Sequence, residues 1–320
     1  MFQHLFSHRP FRLFFLPHQP TDASRRDLTI NSMFLDLDGN IYDYFNGRQH
    51  LEQKLVKFVG NPIDRMHEDY LRILRYFRFY ARYGDCEQVD EETFDAIEKC
   101  KDGLERISGE RIWTEMKKIL PLPNARLVLP HIFNRLQLGV YMGMNGGKKC
   151  FDRFQSAYRS LHSGKFSDIH NGYESVNLVT ALIDDEDELV RIIMRLRWSN
   201  IEKGIAACIL ELRDCPSKVD YGSLIKRLIM VPKSELGKVR PEILEFLRHV
   251  GDFDTYREIL QFEMPRFPLS GTQVAKRVKD PRTVGRVLNR LKELWVESDF
   301  DLTADELLQQ IDQLDQPKTK

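Results

Sequence analysis

Two short stretches carry residue types that could do chemistry. The first is Glu68-Asp69-Tyr70-Leu71-Arg72 followed by Arg75 and Arg78, which sets one carboxylate and three guanidinium groups at intervals of three. On a helix each step of three lags the last by about 60°, so the row winds around the helix and borders an apolar stripe of Leu71, Leu74 and Phe77. Arginines interleaved with Tyr76, Phe77, Phe79 and Tyr80 cannot all reach water unless rings are exposed or guanidinium groups buried. A buried guanidinium needs a partner, and phosphate suits its planar fork. Asp69 with Arg72 offers acceptors and donors at one edge, as reading a nucleobase requires. The plainer alternative is a solvated face whose charge pairs add about 0.2–0.5 kcal/mol each. The second stretch is Arg25-Arg26-Asp27-Leu28-Thr29-Ile30-Asn31. There a guanidinium could meet phosphate or ribose while the carboxylate accepts from sugar hydroxyls. Equally, the charges could only discourage edge-to-edge sheet pairing.

The elements that must position these residues are mostly helical. Between Arg25 and Phe45 the residues LTINSMFLDLDGNIYDYF alternate as strands do around Asp38-Gly39, a two-residue hairpin signal. From Pro62 onward apolar residues recur at three and four spacing, through Leu71, Leu74, Phe77 and Ala81 and again through Ile112, Met116 and Ile119. Breaks in the pattern near 145–175 and 264–271 suggest boundaries, the first flanked by MGMNGGKK and HSGKFSDIHNG. Asp280-Pro281 is a helix start, and Thr303 with Glu306 forms a capping box. Lys+Arg and Asp+Glu number 48 each, so no overall field draws a polyanion and any nucleic-acid surface must come from local clustering. One cluster stands out, with Lys276, Arg277, Lys279, Arg282, Arg286, Arg290 and Lys292 against only Asp280 and Glu293. Phosphate-backbone binding is its natural use, a solvated face its alternative. The five cysteines contain no C-x-x-C pair and one is left over, which argues against a zinc ribbon or a disulfide framework. No apolar run reaches the roughly 18 residues of a spanning helix, so no membrane partner is expected.

Taken together, Arg25-Arg26-Asp27-Leu28-Thr29, then Asp38-Gly39 and Asp43-Tyr44-Phe45-Asn46-Gly47, then Glu68-Asp69-Tyr70-Leu71-Arg72, resemble the tRNA nucleotidyltransferases of the bacterial and eukaryotic class. These CCA-adding enzymes share a core with bacterial poly(A) polymerases. Ser108-Gly109-Glu110-Arg111-Ile112, running to Lys118-Ile119-Leu120, is similar to a later neck motif of that family. Phe267-Pro268-Leu269-Ser270-Gly271 and the helix of Leu288, Leu291 and Trp295 resemble its tail. The resemblance runs from about Asp22 to the last helix. It implies a mainly α fold, a helical neck, body and tail with a small β remnant of a nucleotidyltransferase head. The expected divisions are a leader over 1–21, head remnant over 22–60, neck over 61–150, body over 151–264 and tail over 265–320.

The resemblance also implies roles. Asp69 and Arg72 would select the base of CTP or ATP, with Arg26, Arg75 and Arg78 on the triphosphate and Arg25 and Asp27 at the ribose. Asp38, Gly39, Asp43 and Gly47 would form a hinge. Lys276, Arg277, Lys279, Arg282 and Arg286 would hold tRNA. Mg²⁺ is the family's metal, held by a D-x-D pair upstream of RRDxT that this chain lacks. Only residues 1–24 precede the motif, with Asp22 as the single acid, and Asp36-Leu37-Asp38 reads as a turn. The expectation is therefore a CCA-adding enzyme without most of its catalytic head. The alternative is a non-catalytic nucleotide- and tRNA-binding or regulatory form, and a poly(A) polymerase fits less well because of the tail. Residues 1–21 hold Arg9, Arg12 and three histidines but no acid, consistent with a mitochondrial transit peptide or a leader from an alternative start. Mitochondrial placement, with cytoplasm or nucleus besides, is the expectation, and nothing in the sequence sets an oligomeric state.

Overall fold

The computed structural model describes residues 19–86, 89–146, 149, 151–166, 172–213, 220–231 and 233–314. Of the expected leader, residues 1–18 lie outside the described residues. The helices in chain order are α1 (Gln19–Ser24), α2 (Gly47–Glu52), α3 (Pro62–Glu68), α4 (Arg72–Tyr83), α5 (Glu91–Cys100), α6 (Gly109–Ile119), α7 (Ala125–Pro130), α8 (Asp152–Leu161) and α9 (Glu174–Thr180). They continue as α10 (Glu186–Leu196), α11 (Asn200–Arg213), α12 (Tyr221–Met230), α13 (Lys233–Val250), α14 (Phe253–Gln261), α15 (Gly271–Ala275), α16 (Val284–Glu297), α17 (Ala304–Gln309) and α18 (Ile311–Leu314). Among the described residues the one sheet is an antiparallel pair, β1 (Phe34–Leu35) with β2 (Ile41–Tyr42). The chain is therefore mainly α with a small β element. It divides into two compact units, one of residues 1–155 with 181–198 and the other of 156–180 with 199–320.

The β element is shorter than the alternation suggests. Leu28 makes a single bridge to Phe58, and Thr29–Asn31 turns into a 3-10 helix instead of continuing as a strand. The hairpin does form around Asp38-Gly39, with Gly39 at φ 88°. Asp36 organises it by accepting from the backbone N–H of Asp38 (2.9 Å) and Asn40 (2.8 Å) and from the Asn40 side chain (2.8 Å). Asp36 N–H still donates to the Asn40 carbonyl at 3.0 Å, but the carboxylate takes the Asn40 N–H that the next ladder pair would use.

In the first unit, α4 buries Ile73, Leu74, Tyr76, Phe77, Tyr80 and Ala81. Its rings build an aromatic cluster: Tyr76 stacks on Phe58 at 5.7 Å, Phe77 meets Phe94 edge-on at 5.8 Å, and Phe94 meets His131 at 5.2 Å. Each fully buried ring contributes roughly 1.5–3 kcal/mol, so this face sets the orientation of α4. Helix α6 packs against α4 and α10, with Trp113 on Trp198 at 5.1 Å. Gly109 opens α6 directly on α10, where an added Cβ would lie 1.7 Å from the Arg195 carbonyl oxygen. The Arg195 guanidinium returns to the Leu104 (3.0 Å) and Ile107 (2.9 Å) carbonyls.

The second unit centres on α11 packed against α13, with Ile205, Ile209, Ile243, Phe246 and Leu247 buried. Asn177 donates to the Glu245 carbonyl at 2.8 Å, and Glu245 pairs with buried Arg248 at 2.8 Å. The expected helix starts are present. Asp280 accepts from Arg282 N–H before Pro281, and Thr303 with Glu306 forms the reciprocal capping box. Ser270 with Gln273 adds a capping box that the sequence reading passed over. Substituting Gly109→Ala is expected to destabilise the protein by about 1–3 kcal/mol through overpacking. Gly237→Ala, inside α13 with nothing near the new methyl, should stabilise by about 0.5–1 kcal/mol. Urea unfolding midpoints of the two variants check the opposite signs.

Candidate functional site

The Arg25-Arg26-Asp27 segment is pinned by backbone pairing. Thr29 N–H donates to the Lys57 carbonyl and Val59 N–H to that of Asp27, both at 3.0 Å, with Leu28 wholly buried between. Arg26 pairs with Asp22 at 2.7 Å, and Arg25 pairs with the same carboxylate. Helix α2 presses on the segment from behind: an added Cβ at Gly47 would sit 2.3 Å from the Thr29 carbonyl oxygen. Asp43 accepts from the N–H groups of Phe45 (3.2 Å), Gly47 (2.9 Å) and Arg48 (2.9 Å), closing the turn that starts α2. Asp38 and Gly39 thus belong to the hairpin turn and Asp43 and Gly47 to the turn into α2, and none of the four lines the cleft described below.

Asp69 and Arg72 do not lie on adjacent turns of one helix, contrary to the reading of the sequence. Helix α3 ends at Glu68, and Asp69 is extended at φ −158° and ψ 106°. Its carboxylate accepts from Leu71 N–H at 3.2 Å and its carbonyl from Arg72 N–H at 3.0 Å, so the residue breaks one helix and starts the next. An aspartate competing for nearby backbone donors favours this arrangement over a continuous helix. Arg72 begins α4 and reaches back to Glu68 (2.6 Å) and the Arg65 carbonyl (3.0 Å).

The two stretches converge. A cleft of about 490 Å³ is lined by Arg25, Arg26, Asp27, Asn31, Asp69, Leu71, Arg72, Arg75, Phe79 and Arg111. Five guanidinium groups there face two carboxylates, a local excess of cation in a chain whose net charge is zero. Asp27 is only 6% exposed, and both its oxygens are engaged: Asn31 donates to one at 3.2 Å and the Arg75 Nε to the other. Burial opposes ionisation of Asp27, but the Arg75 guanidinium and Asn31 amide outweigh it and hold the carboxyl below its ordinary 3.8. Asp27, the expected acceptor for sugar hydroxyls, thus lines the cleft already paired with Arg75.

Arg78 is not among the cleft residues. Its guanidinium turns to buried Glu115 at 2.6 Å, which also accepts from Lys118 at 2.9 Å. Two steps of three along α4 turn its direction about 120° away from that of Arg72. Arg111, which the sequence reading assigned no contact, enters the cleft from α6 and holds Asp69 at 2.7 Å. Its only sequence signal is its place in the Ser108–Ile112 stretch. The cations Lys276, Arg277, Lys279, Arg282 and Arg286 belong to the second unit and are exposed. Among the described residues no three His, Cys, Asp or Glu side chains converge as metal ligands. With both cleft carboxylates held by arginine, these residues do not form a divalent-cation cage.

Residues 9–57 match the family described as "Poly A polymerase head domain", and residues 88–134 match "Probable RNA and SrmB- binding site of polymerase A". The chain is 34% identical to the zebrafish (Danio rerio) mitochondrial CCA tRNA nucleotidyltransferase 1, over 91% of its own length and 67% of the relative's. The chain belongs to the CCA tRNA nucleotidyltransferase family. The human counterpart is 37% identical over 91% of this chain, which spans 66% of that relative's length. The fold agrees with solved CCA-adding enzymes: the Bacillus stearothermophilus enzyme in complex with CTP superposes with a TM-score of 0.66 over 92% of this chain and 74% of its own, at 20% identity. The Thermotoga maritima enzyme complexed with tRNA gives 0.56 over 92% and 73%, at 17% identity.

A pH dependence follows from the Asp27–Arg75 pair. A folded-state value below 3.8 means that the pair stabilises the protein above about pH 4 and that this contribution is lost as pH falls through the lowered value. Asp27→Asn is expected to cost roughly 1–3 kcal/mol at pH 7, and the gap from wild type should shrink on acidification towards pH 3. Urea unfolding between pH 7 and 3 checks this.

Proposed function

We propose that this member of the CCA tRNA nucleotidyltransferase family serves tRNA 3′-terminal CCA addition, the transfer of CMP and AMP from CTP and ATP to tRNA. The observation that supports it is the convergence of two stretches far apart in the chain on one cationic cleft. Asp69 and Arg72 are the base readers, Arg26 and Arg75 hold the triphosphate, and Arg25 takes the sugar edge. Arg78 is left out of the phosphate set because Glu115 holds it. The Asp69 carboxylate accepts and Arg72 donates, the complement of a base edge that carries an amino group beside an acceptor, as cytosine and adenine do. Arg111 neutralises Asp69 until a base takes the contact.

The exposed Lys276, Arg277, Lys279, Arg282 and Arg286 are proposed to hold the tRNA phosphate backbone. Mitochondrial placement is proposed from the human, mouse and zebrafish relatives, whose names carry that location. Among the described residues no helix is long and apolar enough to cross a membrane. Nucleotidyl transfer generally uses a divalent metal, and Mg²⁺ is proposed. The described residues do not cage it.

The test is incubation of the chain with tRNA lacking its 3′ CCA, Mg²⁺, CTP and ATP, with binding of all four nucleotides measured alongside. CTP and ATP are expected to bind about 10–100-fold more tightly than UTP and GTP, and Asp69→Ala or Arg72→Ala to erase that preference, each bidentate contact being worth about 1–3 kcal/mol. Equal binding of the four nucleotides by the wild type would overturn the base-reading assignment. Selective binding without incorporation would place the chain with the non-catalytic form. Arg277→Ala combined with Arg286→Ala should lower the slope of log affinity for tRNA against log salt by about 1 per residue removed.

A further inference from the structure

Asp27 sits where the cleft meets the core, and its surroundings resist a direct role at the sugar. Its carboxylate is nearly enclosed, its carbonyl holds Val59 N–H at 3.0 Å, and the next residue, Leu28, is wholly buried and bridged to Phe58. One oxygen takes the Asn31 amide and the other the Arg75 Nε. Arg75 stands on α4 between Leu74 and Tyr76, both buried, so the root of its side chain cannot shift. The guanidinium itself still lines the cleft and is 36% exposed.

A guanidinium is a planar fork with five N–H donors. An Nε bond fixes the plane, while the two terminal amino groups stay available as the pair that grips a phosphate. We propose that Asp27 is a positioning residue: it orients Arg75 so that the terminal nitrogens present a phosphate-binding edge to the cleft, and it does not itself contact the ribose. The inference rests on reading the cleft as a nucleotide site, and it moves Asp27 from the sugar to the support of the phosphate grip.

The two roles give opposite outcomes with a ligand that has no sugar. Removing a carboxylate beside an anion site should, by Coulomb's law alone, tighten anion binding or leave it unchanged. If Asp27 instead orients Arg75, its loss weakens anion binding. The experiment measures binding of inorganic tripolyphosphate, CTP and dCTP by calorimetry to the full chain as wild type, Asp27→Ala, Arg75→Ala and the double variant. Asp27→Ala is expected to weaken tripolyphosphate and CTP by the same factor, about tenfold for one charge-assisted contact, with the CTP-to-dCTP ratio unchanged. The double variant should bind no more weakly than Arg75→Ala, as residues acting as one unit do.

Unchanged or tighter tripolyphosphate binding by Asp27→Ala, with a collapsed CTP-to-dCTP ratio, would overturn the proposal and return Asp27 to the ribose. If Asp27→Ala fails to fold by circular dichroism, Asp27→Asn keeps the shape and removes the charge, and the same pattern at smaller amplitude is expected. A wild type that binds tripolyphosphate but does not distinguish the four nucleotides would mark failure of the base-reading assignment alone, and the tripolyphosphate comparison would still decide the role of Asp27.

Discussion

The buried aromatic face of α4 is the constraint on which the candidate site depends. Tyr76, Phe77 and Tyr80 have almost no contact with water and interlock with Phe58 and Phe94. Because that packing is dense and directional, the helix cannot rotate without opening a cavity. The arginines that share the helix inherit fixed directions. Arg72 and Arg75 look into the cleft and Arg78 looks towards α6. Phe58 also ties this core to the Arg25–Asp27 segment through its bridge to Leu28, so one cluster of rings places both halves of the site.

Charge is distributed to match. A chain with equal numbers of acids and bases concentrates five arginines in one concavity, and ion pairs restrain their side chains before any ligand arrives. Asp22 holds Arg25 and Arg26, Asp27 holds Arg75, and Asp69 is held by Arg111. Ordering long side chains costs conformational entropy, and pairs that meet this cost during folding lower it at binding. Asp27 is the most buried of these acids and Asp22 and Asp69 lie nearer water, which suits the first to support and the last to exchange partners.

Much of the fold was legible because its signals are local. Periodicity announced the helices, Asp38-Gly39 the hairpin, and Asp280-Pro281 and Thr303 with Glu306 two helix starts, each a matter of residues within one turn of one another. Of the site, the two stretches that supply Arg25, Arg26, Asp27, Asp69, Arg72 and Arg75 were legible from residue type and order. The helix break at Asp69 was missed because periodicity continues across it while a side-chain bond to Leu71 N–H decides the backbone. The pairing of Arg78 with Glu115 and of Arg111 with Asp69 was not legible, because each joins residues more than thirty positions apart.

By itself the sequence determined that the chain is mainly helical, that it carries two charged stretches in an order that resembles the CCA tRNA nucleotidyltransferases, and that a basic cluster lies near its C-terminal end. Side-chain type and near-neighbour spacing are enough for that, since backbone preference and amphipathic period act over a few residues. Only the tertiary structure decided which charges meet. Whether Asp27 faces a ligand or an arginine 48 positions away, and whether Arg78 or Arg111 reaches the cleft, depends on which helix faces the core packing leaves towards it. Spacing along the chain does not encode that.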